Sequence, residues 1–338
     1  MATAHHIFKY QDGIVPNTLA IGFALLGYTF GWIACFSPHW ALNILGTLLL
    51  AESLVVSAYL VHEFCHYNLM RTPAANRLMG NLMLWLCGGC YCTFEDIREK
   101  HMRHHVERAD ILGFDLKDHL KRMPAVARGL VSFLEWWCIP ATEILMHLYT
   151  VLLPLSGGRW KSQRRRVVVV TLIRLALFGW VAMLSPKAAL LYLLAYMMML
   201  NALRYADAFQ HTYSVFSPDD PNKLNDGVVR DRAYEDANTY SNLLSQRYLW
   251  LNLLLLHFPF HNAHHRKPGV PWYRLPALHR ELFGDPNQMP VIPFSVLIRS
   301  FFKYRVYRLL SEDYGAAVTS QQPSGFYGAV GVSFLTAI

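Results

Sequence analysis

The chain has 338 residues and a net charge of +8, with 54% hydrophobic and only 16% charged residues. Soluble domains carry about a quarter charged residues, so this composition argues against an ordinary water-soluble enzyme. The positive excess would suit nucleic acid or an anionic membrane surface, and its gathering into two segments that flank apolar runs favours the membrane and no nucleic-acid partner.

The N-terminus, MATAHHIFKYQDG, lacks a basic stretch followed by an apolar core, so no cleavable signal peptide is expected. Apolar runs at about 17–36 and 40–61 each have the length of a membrane-crossing helix. Only Ser37, Pro38 and His39 separate them, which predicts a tight hairpin. Between this hairpin and a later pair of runs lie two weaker apolar stretches, Leu78–Cys92 and Leu130–Leu155. Leu78–Cys92 is short and interrupted by glycine, and reads as re-entrant or interfacial. Leu130–Leu155 holds Glu135, Pro140, Glu143, His147 and Pro154 beside Trp136 and Trp137, which suits a helix lying in the interface. A second hairpin is predicted from runs at about 167–184 and 188–205, joined by Ser185, Pro186 and Lys187. Leu249–Phe260 is too short to span. Glu52 and Arg174 lie inside predicted spans, and such charges usually pair or face a cavity, so an ion pair between them is expected.

Segment 61–166 carries fifteen Lys and Arg and segment 206–338 another twelve, whereas the two hairpin loops hold only Lys187. Both basic segments, and with them both termini, are therefore expected in the cytoplasm. The predicted fold is an all-α membrane protein: four transmembrane helices in two hairpins carrying a helical cytoplasmic cap. Residues 1–310 form one integral-membrane domain, and the Gly-, Ser- and Ala-rich tail, 311–338, receives no role. The six cysteines, at 35, 65, 87, 90, 92 and 138, are scattered through apolar runs and predict no disulfide framework. Cys87 and Cys90 form a lone CxxC without the second pair a zinc site needs, and read as small packing residues.

The histidines carry the chemistry. His62 and His66 lie in HEFCH, His101, His104 and His105 in HMRHH, and His261, His264 and His265 in HNAHH. Spacings of three and four place side chains on one helix face, so each cluster can aim two or three imidazoles at one place. So many crowded imidazoles would repel on protonation and leave hydrogen-bonding capacity unused, which a metal resolves. His211, a few residues past the fourth span, is a ninth candidate, with Asp207 one helical turn before it. Nine nitrogens exceed the four that a tetrahedral zinc uses, and two six-coordinate irons could share them and keep positions open for oxygen. HEFCH also satisfies the HExxH of zinc metalloproteases, with Asn225-Asp226-Gly227 as a distant partner, but that reading leaves the other two clusters unexplained. Haem takes one or two axial ligands per iron, not three neighbouring clusters.

The order HxxxH, HxxHH, HxxHH, seen here as HEFCH, HMRHH and HNAHH, resembles the three-histidine-box membrane fatty acid desaturase and hydroxylase superfamily. FHNAHHRKPGVPWYRLPALH resembles the stretch that follows the last box in many desaturases. The resemblance runs from about Asn17 to Leu282. It implies a di-iron centre held by His62, His66, His101, His104, His105, His211, His261, His264 and His265, with Asp207 near the metal through water; Glu63, with the protease reading set aside, is expected to accept a hydrogen bond from a ligand imidazole. It also implies O2 as co-substrate and oxidation of a lipid hydrocarbon chain. Acyl desaturation is the first reading, and hydroxylation of a fatty acid, alkane or terpenoid is the alternative. Electrons are expected from a separate ferredoxin, rubredoxin or cytochrome b5-type carrier. A bacterial inner membrane is favoured, with the endoplasmic reticulum open.

Overall fold

The computed structural model describes residues 7–113, 115–216, 226–284, 292–311, 313–315, 325–331 and 335–336. In chain order its helices are α1 (Ile14–Phe36), α2 (Trp40–Cys65), α3 (Pro73–Cys87), α4 (Phe94–Glu107), α5 (Leu116–Arg122), α6 (Ala125–Trp136) and α7 (Ala141–Ser156). Then follow α8 (Arg164–Leu184), α9 (Pro186–Ala208), α10 (Arg232–Asn238), α11 (His261–Arg266), α12 (Leu275–Phe283) and α13 (Phe294–Lys303). Two short strands, β1 (Asp110–Ile111) and β2 (Val215–Phe216), pair in parallel. The protein is thus mostly helical.

Helices α1, α2, α8 and α9 are long and apolar enough to cross a membrane. Their outer faces present Leu19, Leu26, Phe30 and Ile33 on α1 and Leu172, Leu175, Trp180 and Met183 on α8, all exposed. Packing of α1 along α2 is the most extensive helix contact, and small residues bring the two backbones together. A Cβ on Gly31 would lie 2.7 Å from Leu50 Cγ, and one on Gly46 would lie 2.8 Å from the Gly31 carbonyl. Glycine at both positions is what the approach requires.

Two observations fix which helix ends carry the site. The Lys187 ammonium donates to the Ser37 carbonyl (2.6 Å), so the turns after α1 and after α8 meet at one end. The C-terminal ends of α2 and α9, which pack on each other, emerge at the other. Each of these helices runs past its predicted end, α2 to Cys65 and α9 to Ala208. That extra turn carries the first histidine box and the approach to His211 clear of the apolar stretch.

The stretch expected to be one interfacial helix over Leu130–Leu155 is two helices. Pro140 has no amide hydrogen to continue α6 and disfavours helical backbone before it, and Cys138 adopts a positive φ of 60°. Glu135 turns back and accepts from the Thr142 amide (2.9 Å) and hydroxyl (3.0 Å), capping the start of α7. Glu135 also pairs with Arg204 of α9, whose Nε lies 3.4 Å from Glu143. Arg305 donates from Nε to the Glu135 carbonyl (2.6 Å). This buried network fastens α6, α7 and the segment after α13 to the end of α9.

The ion pair expected between Glu52 and Arg174 does not form. Arg174 donates to the Trp85 carbonyl (2.9 Å) at the end of α3 and lies over the Phe178 ring. The backbone that turns back after α3 therefore supplies its partner. Cys87 and Cys90 are buried free thiols beside that turn, and all six cysteines are free.

Replacing Gly31 with Val should destabilise the fold by about 1–3 kcal/mol through overpacking. The check is the thermal unfolding midpoint in detergent, and a midpoint equal to wild type would contradict the close α1–α2 approach.

Candidate metal centre

The structure brings all nine candidate histidines into two adjoining groups. His62, His66, His101, His105 and His264 form one, and His104, His211, His261 and His265 form the other; within each, the ligand atoms lie within 4.8 Å of one another. Helical spacing explains the sorting. On α4, His101 and His105 are four residues apart and share the first group, while His104 on the flank points to the second. On α11, His261 and His265 share the second group, while His264 crosses to the first. Two helices therefore each feed both groups, α2 and the residue that caps its end supply His62 and His66 to the first, and His211 completes the second.

Local sequence sets α4 in place. Thr93 and Asp96 form a reciprocal capping box at its start, each accepting from the other's backbone amide at 3.1 Å. Its end is fixed by Arg108 in the left-handed region (φ 49°). The chain then enters β1, whose pairing with β2 holds the segment after α4 beside the segment after His211.

Nε2 atoms face one another across each group. His66 and His101 approach to 2.7 Å, His62 and His264 to 3.1 Å, and His105 lies 3.1 Å from both His101 and His264. In the second group His211 lies 2.7 Å from His261 and 3.1 Å from His104. A metal–imidazole bond is about 2.1 Å, so two ligands at right angles around one ion stand about 3 Å apart. These contacts have that spacing.

The outward nitrogens decide which way the lone pairs point. His62 Nδ1 lies 3.2 Å from Glu63 Oε1, and the other oxygen of Glu63 accepts from the Trp272 amide (3.0 Å). His104 Nδ1 lies 3.0 Å from the Ala109 carbonyl and 3.2 Å from Asp110. His265 Nδ1 lies 3.1 Å from Glu235, which in turn accepts from Arg108 (2.9 Å) and Arg232 (2.6 Å). Each acceptor keeps the proton on Nδ1 and leaves the Nε2 lone pair aimed inward. Burial, followed by the neighbouring imidazoles, holds His101, His105, His211, His261, His264 and His265 well below the ordinary imidazole range. They are neutral and ready to ligate. The residues present therefore fit two metal ions with imidazole-rich shells.

A cavity of about 50 Å³ opens between the groups, lined by His62, His101, His104, His211 and His261, with Ile111, Leu112 and Phe258 as apolar walls. Asp207 and Lys100 also face it. Asp207 hydrogen-bonds to no box histidine among the described residues. Asp110 and Glu235 hold the histidines instead. Neither was singled out in the sequence: each is a lone acid in a polar stretch, far in the chain or across a turn from its partner. Tyr213, stacked on His211 at 4.3 Å, follows it by two residues in a non-helical stretch, where no periodic spacing marks it.

The family model described as fatty acid desaturase matches residues 38–293, which include all nine histidines. The chain belongs to the fatty acid desaturase family. No individually curated protein matches it. Membership identifies this desaturase-family protein as an oxidoreductase of lipid metabolism with histidine boxes and apolar helices. Glu63 has both carboxylate oxygens engaged by protein groups on the side of His62 away from the ligand nitrogen, which leaves it badly placed as a protease base. Of the distant partner considered for a protease, Asn225 lies outside the described residues and Asp226 pairs with Arg230 (2.6 Å).

Changing Glu235 to Gln removes the charge behind His265 and frees Arg108 and Arg232. Metal affinity of the second group should fall about 10- to 100-fold, read by competition with a chelator. Affinity equal to wild type would show that Glu235 does not support the ligand.

Proposed function

We propose that this protein carries out oxygen-dependent oxidation of a lipid hydrocarbon chain, with fatty acyl desaturation as its reaction, at a di-iron centre held by the nine histidines. The observation that carries this reading is the crossing of the three boxes and His211 into two ligand groups with an apolar-walled cavity between them. Iron bound there supplies the oxygen-activating redox chemistry that an unactivated C–H bond requires.

The chain's own residues do the rest. Ile111, Leu112 and Phe258 hold a hydrocarbon against the face where the two groups meet and keep water from it. Glu63, Asp110 and Glu235 keep the imidazoles in one tautomer. Asp207, at the cavity wall, is placed to hold an ordered water beside the second group.

In the membrane, α1–α2 and α8–α9 are two hairpins, with the ends of α2 and α9 that bear histidines on the cytoplasmic side together with both termini. The amphipathic α6 supports placing the histidine-bearing ends at a membrane interface. It exposes Val126, Leu130, Phe133 and Trp136, with Trp137 just beyond, and so lies in the interface with its tryptophans at headgroup depth. O2 is the co-substrate. Electrons come from a separate ferredoxin-, rubredoxin- or cytochrome b5-type carrier on the basic cytoplasmic face.

The test is analysis of lipids from cells expressing the wild type and His104→Ala. New double bonds in acyl chains, absent with the variant, are the expected outcome. Alcohols in place of alkenes would make the reaction hydroxylation, and unchanged lipids with an iron-loaded wild type would contradict the reading.

A further inference from the structure

His211 has an aromatic ring stacked against it, and the backbone explains why. The segment after α9 pairs with the segment after α10. The Thr212 amide donates to the Asn238 carbonyl (3.0 Å) and the Tyr240 amide to the Gln210 carbonyl (2.8 Å), with His211 opposite Thr239. In extended backbone, residues two apart share a face. Tyr213 therefore falls beside His211, and the rings stack at 4.3 Å and 23°. The same ring lies 5.5 Å from His104 and 6.1 Å from His265, so it borders three of the four histidines of the second group.

Tyr213 is fully buried. Its hydroxyl is hydrogen-bonded to the Thr239 hydroxyl (2.7 Å), and its carbonyl accepts from the Tyr314 hydroxyl (2.7 Å). Tyr314 belongs to the C-terminal tail, to which the sequence assigns nothing. There Phe326, Ala329 and Val330 are buried, and the Ala329 amide donates to the Ala208 carbonyl (2.8 Å), three residues before His211. The tail thus packs on the segment that bears His211 and Tyr213.

The Tyr213 ring is also stacked on Tyr234 of α10, at 5.8 Å and 18°. Tyr234 is half-buried, and its neighbour Ala233 is exposed. His211, Tyr213 and Tyr234 therefore form a series of near-parallel rings from the second histidine group to the surface. Such a series could let electrons in or let oxidising equivalents out. Oxidising a buried tyrosine requires a base to take the phenol proton, and the Thr239 hydroxyl is not one. Passive conduction needs only short gaps, because tunnelling weakens steeply with distance, and rings in contact leave short gaps.

We propose that Tyr234 and Tyr213 form the route by which electrons enter the second histidine group. This rests on the iron-centred reading above. One electron leaves a reduced one-electron iron carrier met at α10, crosses the two rings without residing on either, and reduces ferric iron at the second group to ferrous. The carrier is oxidised by one electron, no bond forms or breaks, and no proton moves.

The experiment uses full-length, detergent-purified, iron-loaded protein with a ruthenium photosensitiser as donor and ascorbate as sacrificial reductant. The sensitiser is attached through Ala233→Cys in a Cys138→Ser background, since Cys138 is the exposed native thiol. Reduction of ferric iron after an anaerobic flash is followed optically, without turnover. A fast phase is expected, kept in Tyr213→Phe and lost in both Tyr213→Leu and Tyr234→Leu at equal iron content. Because Tyr234 is half-buried, its variant remains decisive if the change at Tyr213 prevents folding. The same sensitiser on Val106→Cys, an exposed position beside His105 of the first group, supplies electrons by another path, and its rate should be the same in Tyr213→Leu. A fast phase that persists in an iron-loaded Leu variant would overturn the proposal. So would its loss from both attachment points, which would show that the centre and not the route had changed. Loss in Tyr213→Phe would make the hydroxyl the working part and would overturn it too. A wild type that takes up no iron would instead strike at the iron-centred reading, and the proposal would fall with it.

Discussion

The structure depends on inward-facing imidazole lone pairs, gathered in two buried groups and fixed there from behind. A cluster of neutral histidines whose Nε2 atoms stand 2.7–3.1 Å apart is not self-sufficient. Rings already donating from Nδ1 to Glu63, Asp110 or Glu235 have no second proton with which to bond a neighbour. Metal ions bound there would relieve that frustration and couple the ligand set to the fold. Because α4 and α11 each contribute to both groups, neither group can be assembled without positioning more than half of the other.

Everything around the groups serves to bring four chain segments, far apart in sequence, to one end of a helical bundle. The glycine-mediated approach of α1 to α2 sets the first pair. The Lys187 contact to the Ser37 carbonyl holds the opposite turns together, and the packing of α2 against α9 delivers His62, His66 and His211 at a common depth. The buried network of Glu135, Glu143, Arg204 and Arg305 then clamps α6 and α7 onto α9. Its charges are paired in place, where an isolated buried charge would cost several kcal/mol.

Much of this was legible in the sequence, and the parts that were not share a cause. Hydropathy located four long apolar helices because length and composition are local properties, and histidine spacing exposed the boxes because i, i+3, i+4 is a helical signature. Which histidine joins which group is set by how α4 and α11 face each other, and that is a tertiary fact. Glu235 supports His265 from thirty residues away, and Asp110 supports His104 only because Arg108 turns the chain. The break at Cys138–Pro140 had its proline in plain view, but the capping carboxylate of Glu135 had read only as an interruption. Arg174 found a backbone carbonyl rather than Glu52, since carbonyls freed where a helix turns back leave no mark in composition. The tail failed to show itself because Gly, Ser and Ala suit a close-packed wall as well as an open coil.

The central claim is that the nine histidines hold two irons in a shared, crossed ligand set. It is tested most directly by the metal content of the detergent-purified protein, for wild type, His66→Ala and His211→Ala. The account predicts two irons per chain in the wild type, with either substitution, one in each group, lowering occupancy of both sites because α4 and α11 serve both. A single zinc, lost on changing His66 but retained in His211→Ala, would contradict it.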